Sequence, residues 1–313
     1  MSLLARLLPA VPATRPAVHR VLLGGYTAVY LAKRVRMLRT IHRTSPDLFA
    51  PVGPARVLTR PVPPRLADGL VYAELVADAL FTLGVRHRVT GPAHAALLLW
   101  TLSYRNSWSM VFHSDNTMVL HTAVLGLTPS ADALSVDAVA RHGRDGLLRA
   151  DPDWRYGWPG TVSSGVTAAA YLLAGVAKVR GPLGWGWASG ESLRSQIAAD
   201  GLRKELLGSK AAPVGVRLYG WTGLWRLMAV GSLAAELIAP VVLLDGRLAR
   251  AWAAGAFGMH WGIRVVMGIR FRYQMSGVAY ASYLPLERAV DPAGWRTALR
   301  AVRARWPSMA RRR

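Results

Sequence analysis

"TVSSGVTAAAYLLAGVAK", residues 161–178, is the stretch that most directly indicates the fold. It consists of small, apolar and hydroxyl-bearing side chains, and its single charged residue, Lys178, stands at its end. A helix needs about 20 residues to cross the hydrocarbon core of a bilayer. This segment therefore predicts a membrane-spanning helix.

Other apolar segments follow one another along the chain. Strands of a membrane barrel would alternate polar and apolar side chains, and these segments do not, so helices are predicted. We expect an all-α, polytopic helical integral membrane protein with about seven to eight membrane helices. Residues 21–32 are short enough to be either an interfacial helix or a short span. The apolar segments are 21–32, 66–85, 93–112, 116–128, 161–178, 221–244, 251–269 and 273–286.

The composition combines apolarity with a strong positive charge. Hydrophobic residues make up 52% of the chain, yet the formal net charge is +22. A membrane protein with arginine-rich ends satisfies both, and we expect a lipid bilayer and its anionic headgroups as partners. Nucleic-acid binding is not expected, because the basic residues flank apolar runs instead of lining one polar face. The absence of cysteine excludes disulfides and thiolate chemistry.

Three regions are predicted. Residues 1–65 form a basic N-terminal region that ends in a proline-rich linker, 66–288 form the transmembrane domain, and 289–313 form a basic tail. Because both ends of the chain are rich in arginine, we expect both termini on the cytoplasmic side of the cell membrane, with the N-terminus uncleaved. An even number of spans fits that arrangement and favours eight.

Ionisable side chains inside the apolar segments are functional candidates, because hydrocarbon disfavours charge. Glu74 and Asp78 are four residues apart and so share one helix face. The alternative is structural: an interior ion pair of Arg105 or Arg264 with Glu74, Asp78 or Glu236. The ionisable residues concerned are Glu74, Asp78, Arg105, Glu236, His260 and Arg264.

The densest polar cluster is "FHSDNTMVLH", residues 112–121. In one interpretation Ser114 or Asp115 caps the following helix. In the other, His113, Asn116 and His121 face a cavity. A metal site is not expected, because the two histidines are eight residues apart and lack the i, i+4 spacing of a helical site.

Lys178 is one of only four lysines, against 35 arginines. A lysine at the end of a span often extends to the lipid headgroups. Lysine can also lose its proton when it is desolvated and then act as a base, which arginine cannot. Beyond it, Trp185 and Trp187 form either an interfacial aromatic belt or the wall of a site for an aromatic ligand.

The chain resembles the horizontally transferred transmembrane (HTTM) domain, the membrane part of vitamin K-dependent gamma-carboxylases and their bacterial relatives. The resemblance covers roughly residues 66–288. It is carried by "SYRNSWSMVFHSDNTMVLHTAVLGLTPSADALSVD" (103–137), "AAYLLAGVAKVRGPLGWGWASGESL" (169–193), "ELIAPVVLLDGRLAR" (236–250) and "GMHWGIRVVMGIRFR" (258–272), in the family's order.

The resemblance implies quinol-dependent chemistry. Lys178 matches the lysine taken to deprotonate reduced vitamin K, a naphthoquinol of the menaquinol type, and Asn116 and His113 fall near the family's Asn/His pair, which would stabilise developing negative charge by hydrogen bonding. No metal is expected. The side chains expected to hold the quinone are Trp185, Trp187, His121 and His260.

The carboxylases continue into a strand-rich extramembrane region, whereas this sequence ends 25 residues beyond Arg288, so carboxylation of a protein substrate is not expected. Two functional hypotheses remain. The first is a quinol-using membrane carboxylase or oxidoreductase with Lys178 as its base. The second is a non-catalytic membrane component of peptide export, maturation or immunity, with a peptide or protein partner.

Overall fold

The computed structural model describes residues 7–149 and 151–291, which are mostly helical and contain almost no strand, so the predicted all-helical class is confirmed. One antiparallel pair of two-residue strands joins β1 (Val11–Pro12) to β2 (Pro152–Asp153). The tail predicted for 289–313 lies outside the described residues from residue 292 onward. The α-helices are α1 (Thr14–Ala32), α2 (Val35–Ile41), α3 (Pro64–Leu83), α4 (His87–Asn106), α5 (His113–Gly126), α6 (Val136–His142), α7 (Trp154–Arg180), α8 (Glu191–Leu206), α9 (Pro213–Leu218), α10 (Thr222–Leu237), α11 (Gly246–Met267) and α12 (Arg272–Met275).

Local sequence signals set the ends of these helices. α3 begins at Pro64, whose missing N–H is not needed in a first turn, and it ends at Gly84, which has a left-handed φ of 64°. α11 begins after Asp245, whose carboxylate accepts hydrogen bonds of 2.8 Å from the backbone N–H groups of Leu248 and Arg247. Those two bonds hold the pKa of the Asp245 carboxyl below its ordinary value.

Five long helices, α1, α3, α4, α5 and α7, run alternately between two ends of a bundle. We call the end that holds the start of α1 the first end. There the buried guanidinium of Arg20 donates to the Leu134 carbonyl at 2.6 Å. At the same end β1 pairs with β2 just before α7. At the opposite, second end, Tyr30 near the end of α1 donates to Asp115 at the start of α5. The apolar core lies between the two ends, where α1, α3, α4 and α5 bury Leu23, Phe81, Leu98 and Leu125 completely.

The two ends of the described chain meet at the first end. Arg15 and Glu287 form a two-bonded ion pair with N–O distances of 2.6 Å. Partial burial opposes ionisation of Glu287, but the hydrogen bonds from Arg15 hold the pKa of its carboxyl below the ordinary value. α1, which the sequence assigns to a separate N-terminal region, therefore packs in the same bundle as the helices that follow residue 65.

Residues 273–286 were expected to be a helical span and are not one. α12 ends at Met275, Gly277 adopts a left-handed φ of 80°, and a 3₁₀ turn (Val278–Tyr283) follows. The segment runs from the second end back to the first through the interior, where Tyr283 donates a 2.9 Å hydrogen bond to the Ser164 carbonyl. Gly277 interrupts the helix, and the tyrosines fix the irregular backbone by packing inward.

Among the described helices, α7 is the one that is long and apolar enough to cross a membrane by length and composition. A single helix of this kind also occurs in the cores of soluble proteins. The polytopic arrangement therefore stays a prediction at this point.

The acidic side chains of α3 are on its buried face, and its one basic side chain, Arg65, is exposed in the first turn. Asp68, Glu74 and Asp78 are all buried, and Glu74 and Asp78 are completely inaccessible. The exposed positions of the same helix between residues 66 and 83 carry only apolar side chains or glycine, namely Leu66, Gly69, Tyr72, Ala73, Val76, Ala79 and Leu83. This polarity is the reverse of that of a helix on the surface of a water-soluble protein.

We expect Gly91→Ala to lower stability. Gly91 of α4 meets Gly126 of α5 backbone to backbone, and a Cβ added to Gly91 would collide with the carbonyl oxygen of Gly126. Overpacking of this kind costs about 1–3 kcal/mol. The measurement is the midpoint of thermal unfolding in detergent.

The control is Gly69→Ala on the exposed face of α3, where an added Cβ meets nothing within 4 Å. This substitution should leave stability unchanged or raise it by up to about 1 kcal/mol through helix propensity. Equal midpoints for the two variants would show that α4 and α5 do not pack through these glycines.

Candidate functional site

Lys178 is ion-paired. Its ammonium lies in the last turn of α7 and contacts the carboxylate of Glu236 near the end of α10. The lysine side chain is 25% exposed and the glutamate side chain 9%. The sequence predicted that Lys178 is either a free base or an anchor in the lipid headgroups. Neither prediction included Glu236 as its partner.

Glycine lets the two helices come close enough for the pair to form. Gly175 lies one turn before Lys178, and a Cβ added there would stand 3.0 Å from the Cβ of Glu236. Because Gly175 has no side chain, α10 packs directly on α7 at this level. The Lys178–Glu236 contact follows from that approach.

One of the two predicted tryptophans borders the lysine. The Trp187 ring, in the 3₁₀ turn Gly184–Ser189 just after α7, has its centroid 4.8 Å from the Lys178 Nζ. Trp185 in the same turn is 70% exposed. The ammonium therefore has a carboxylate on one side and an aromatic ring on another, an arrangement that stabilises a cation.

A hydroxyl–imidazole cluster lies two turns deeper on α7. Tyr171 precedes Lys178 by seven residues and so shares its helix face. Its hydroxyl is 2.5 Å from the Tyr280 hydroxyl and 3.2 Å from Nδ1 of His260, while His260 Nδ1 also lies 2.9 Å from the Ala256 carbonyl. His260, a predicted cofactor-binding residue, is thus on the same side of α7 as Lys178.

His121 belongs to a different set of contacts. It is completely buried; Nδ1 is 2.7 Å from the Tyr273 hydroxyl, and Nε2 is 2.9 Å from the Ser163 carbonyl. Because a carbonyl only accepts, Nε2 carries the proton, and Nδ1 accepts from Tyr273. Both ring nitrogens are therefore occupied by protein groups.

The residues at the start of α5 differ in how deeply they are buried. Asn116 is exposed on the first turn, and His113 is the first residue of the helix. Asp115, expected as one of two possible caps, is buried and bound by Arg105 at 2.6 Å and by the Tyr30 hydroxyl at 3.0 Å. Because α5 and α7 are antiparallel, Asn116 and Lys178 lie at the same, second end of the bundle.

The predicted interior partners of Arg105 were wrong. The sequence suggested Glu74, Asp78 or Glu236, but Arg105 binds Asp115, ten residues further along the chain. The other three acids have different partners. Glu236 takes Lys178, while Glu74 and Asp78 flank His94 of α4, at 2.9 and 3.4 Å. His94 was overlooked, although a histidine inside the apolar segment 93–112 meets the same criterion as the acids.

Two cavities are at the ends of the bundle, and Lys178 lines neither of them. One, of about 10 Å³, is lined by residues of the first end that include Arg15, His19 and Ser282. The other is an open groove of about 260 Å³ at the second end, lined by Arg36, Arg39, Thr40 and Arg43. No three His, Asp or Glu side chains within residues 7–149 and 151–291 are arranged to hold a metal ion.

Comparison of the chain with protein-family models, with curated proteins and with solved structures finds no match. The resemblance to the HTTM domain therefore stays a prediction from the quoted segments. The proposals for its function therefore rest on the positions of its own side chains.

We expect the Lys178–Glu236 pair to be energetically coupled. A double-mutant cycle with Lys178→Met and Glu236→Gln should give a coupling free energy between about 0.5 and 3 kcal/mol, because the pair is shielded from water. Unfolding in detergent is the measurement.

The matched reference is the pair of Asp200 and Arg203 on α8, whose arginine side chain is 72% exposed. An exposed pair of this spacing is worth about 0.5 kcal/mol or less. A Lys178–Glu236 coupling no larger than this value would contradict the proximity of the two side chains.

Proposed function

We propose that the protein is a polytopic helical integral membrane protein of the cell membrane. The reversed polarity of α3 carries this proposal: its three acids face the interior, and its exposed face is apolar. In water such a helix would expose apolar surface while burying charge, and both are unfavourable. In a bilayer the apolar face lies against lipid, and only the buried charges need partners.

Two further helices support this placement. On α7 the buried positions include Ser163, Ser164 and Thr167, whereas Val162 and Leu173 are exposed. On α11 every exposed side chain between residues 251 and 265 is apolar or glycine, and arginines stand only beyond this stretch on the exposed surface. The exposed residues of that stretch are Ala251, Ala254, Gly255, Phe257, Gly258, Trp261 and Val265.

The length of α3 and the directions of the long helices support a polytopic arrangement. The 20 residues of α3 span about 30 Å, the thickness of a hydrocarbon core. The five helices that alternate in direction are α1, α3, α4, α5 and α7, and the irregular segment 273–286 returns to the first end within protein, where non-helical backbone is tolerated in membranes. The Arg15–Glu287 pair then places both ends of the described chain on one side, for which the cytoplasmic side is our proposal. α10 and α11 form a helical pair beside α7: the Trp252 indole N–H donates to the Ala235 carbonyl at 2.8 Å, and Glu236 meets Lys178 at the second end.

The groove of Arg36, Arg39 and Arg43 is the proposed contact with anionic lipid headgroups. These arginines belong to α2 and the turn after it, at the second end, and open onto a groove of about 260 Å³. Asp68 pairs with Arg39 and Arg43, which leaves a net positive charge at the membrane boundary. Such a surface attracts phosphate groups of lipids.

At Lys178 we propose a proton-accepting site for a membrane quinol. The main support for this site is the position of the partly exposed Lys178 amine, which lies between Glu236 and the Trp187 ring at the bundle end. The donor set fits a reduced naphthoquinone, because indole rings can stack on its flat ring and the amine can reach its hydroxyl. When bound, the quinol would supply an acidic O–H group and reducing equivalents.

Glu236 determines how the lysine can work. In a low-dielectric setting, a neutral amine with a protonated carboxyl competes with the ammonium–carboxylate pair. The neutral Nζ takes up one proton from a bound hydroxyl and becomes ammonium. The ammonium is then stabilised by the Glu236 carboxylate, whose own proton has been released to solvent at the bundle end, where the lysine is 25% exposed.

The same ion pair favours a second candidate function. A lysine bound to a carboxylate and an indole ring is well suited to join α7 to α10 without any chemistry. The protein would then be a non-catalytic membrane component that binds a peptide or protein partner. The two candidates differ in whether an arginine can replace Lys178.

The test uses purified protein in nanodiscs with reduced naphthoquinone, oxygen and bicarbonate, and measures quinone epoxide by mass spectrometry. We expect epoxide from the wild type and none from Lys178→Arg, because a guanidinium keeps its proton. Lys204→Arg is the control; that lysine binds Asp200 on α8 and should be replaceable.

Absence of epoxide from a folded wild type that binds quinone would overturn the quinol proposal and leave the structural role. Equal epoxide from the wild type and from Lys178→Arg would show that chemistry occurs without Lys178 as the base.

A further inference from the structure

Three ionisable side chains lie together in the dry interior of the seam between α3 and α4, far from Lys178 along the chain. Glu74, Asp78 and His94 each have no accessible surface. His94 Nδ1 is 2.9 Å from a Glu74 oxygen, and Nε2 is 3.4 Å from an Asp78 oxygen. The imidazole therefore stands between the two carboxyl groups.

The polar atoms of this cluster are close together but are not aligned as hydrogen bonds. Both oxygens of Glu74, one of Asp78 and both ring nitrogens of His94 lack a hydrogen-bond partner in the described part of the chain. A single buried pair would serve a structural purpose with fewer unsatisfied atoms. The excess of unpaired, titratable atoms calls for a functional explanation.

The arrangement does not fit a metal ion. Nδ1 and Nε2 point away from each other, so the two carboxyl groups lie on opposite sides of the ring instead of converging on one point. It does fit proton transfer: the ring can take a proton at one nitrogen and give one up at the other. The Phe81 ring, whose centroid is 4.8 Å from that of His94, shields the imidazole.

Polar groups continue the seam toward the first end. Thr82 lies one turn beyond Asp78 and donates to it at 3.4 Å. Gly24 of α1 faces both residues; a Cβ there would lie 3.2 Å from an Asp78 oxygen. The half-buried Thr82 is next to Gly84, where α3 ends.

The seam also continues toward the second end. Thr101 follows His94 by seven residues on the same face of α4, is buried, and has a hydroxyl without a partner. Asp68, six residues before Glu74, accepts a hydrogen bond from Nδ1 of His42 at 2.8 Å and is bound by Arg43, whose side chain is 45% exposed. From Asp68 to Thr82 the polar groups extend over about 21 Å of the α3 axis.

We propose that this seam conducts protons through the protein, with Glu74, His94 and Asp78 as its central relay. A proton passes from the Glu74 carboxyl to Nδ1 of His94, and Nε2 releases its proton to the Asp78 carboxylate. A half-turn of the ring then exchanges the sides that the two nitrogens face, so that the next proton enters at Nε2 and leaves from Nδ1. One O–H bond is broken and one is formed, and no net charge stays on the imidazole. The proposal rests on the membrane placement but is independent of the quinol chemistry at Lys178.

The experiment measures proton flux into liposomes that contain the purified protein and an internal pH-sensitive dye. A potassium gradient with valinomycin supplies the driving force, and no quinone is added. We expect acidification with the wild type and loss of the flux, down to the rate of protein-free vesicles, with Glu74→Gln and with Asp78→Asn. Glu287→Gln makes the same chemical change outside the seam and should retain the wild-type flux.

Flotation with the liposomes and the midpoint of thermal unfolding show whether each variant is inserted and folded. A wild type that inserts but conducts no faster than protein-free vesicles would overturn the relay, as would an unchanged flux in folded Glu74→Gln. Failure of the wild type to insert would instead overturn the membrane placement and the relay with it. Loss of epoxide formation at Lys178 with intact proton flux would refute only the quinol proposal.

Discussion

The burial of charge is the constraint on which the rest of this structure depends. Charged side chains face the bundle interior, and an unpaired charge there would cost several kcal/mol. Helices must therefore be arranged so that each charge meets a partner from another element. The pairs link distant parts of the chain: Arg15 with Glu287, His42 with Asp68, Arg105 with Asp115, and Lys178 with Glu236.

Close helix packing makes these pairs geometrically possible. Gly24 lets α1 approach Asp78 and Thr82, and Gly175 lets α10 approach the helix turn that leads to Lys178. Gly91 and Gly126 bring the backbones of α4 and α5 together. Small residues have this role in membrane bundles, where apolar side chains gain little by leaving lipid for one another. The distribution of glycine thus determines which polar side chains meet.

The helices could be predicted from the sequence because long apolar segments favour them regardless of context. Residues 161–178 lie within α7, and 66–85 correspond closely to α3. The segment 273–286 could not be predicted, because Gly277 and the inward-facing tyrosines outweigh its apolarity. The partners of the ionisable side chains could not be predicted from the sequence either. Residue usage alone pointed to Lys178, but its pairing with Glu236 depends on how α7 and α10 pack. Glu74 and Asp78 were correctly placed on one face, whereas His94 comes from another helix.

The central claim is that the exposed apolar surface of the bundle lies against lipid. Because the chain contains no cysteine, single cysteines can be introduced without background. Val76 on α3 is 60% exposed in the fold, and Val57, in a turn outside the long helices, is 79% exposed. In broken membranes, where both faces are accessible, a water-soluble maleimide should label Val57→Cys rapidly and Val76→Cys only after denaturation. Equal labelling of the two cysteines in the folded protein would place the α3 surface in water and contradict the account.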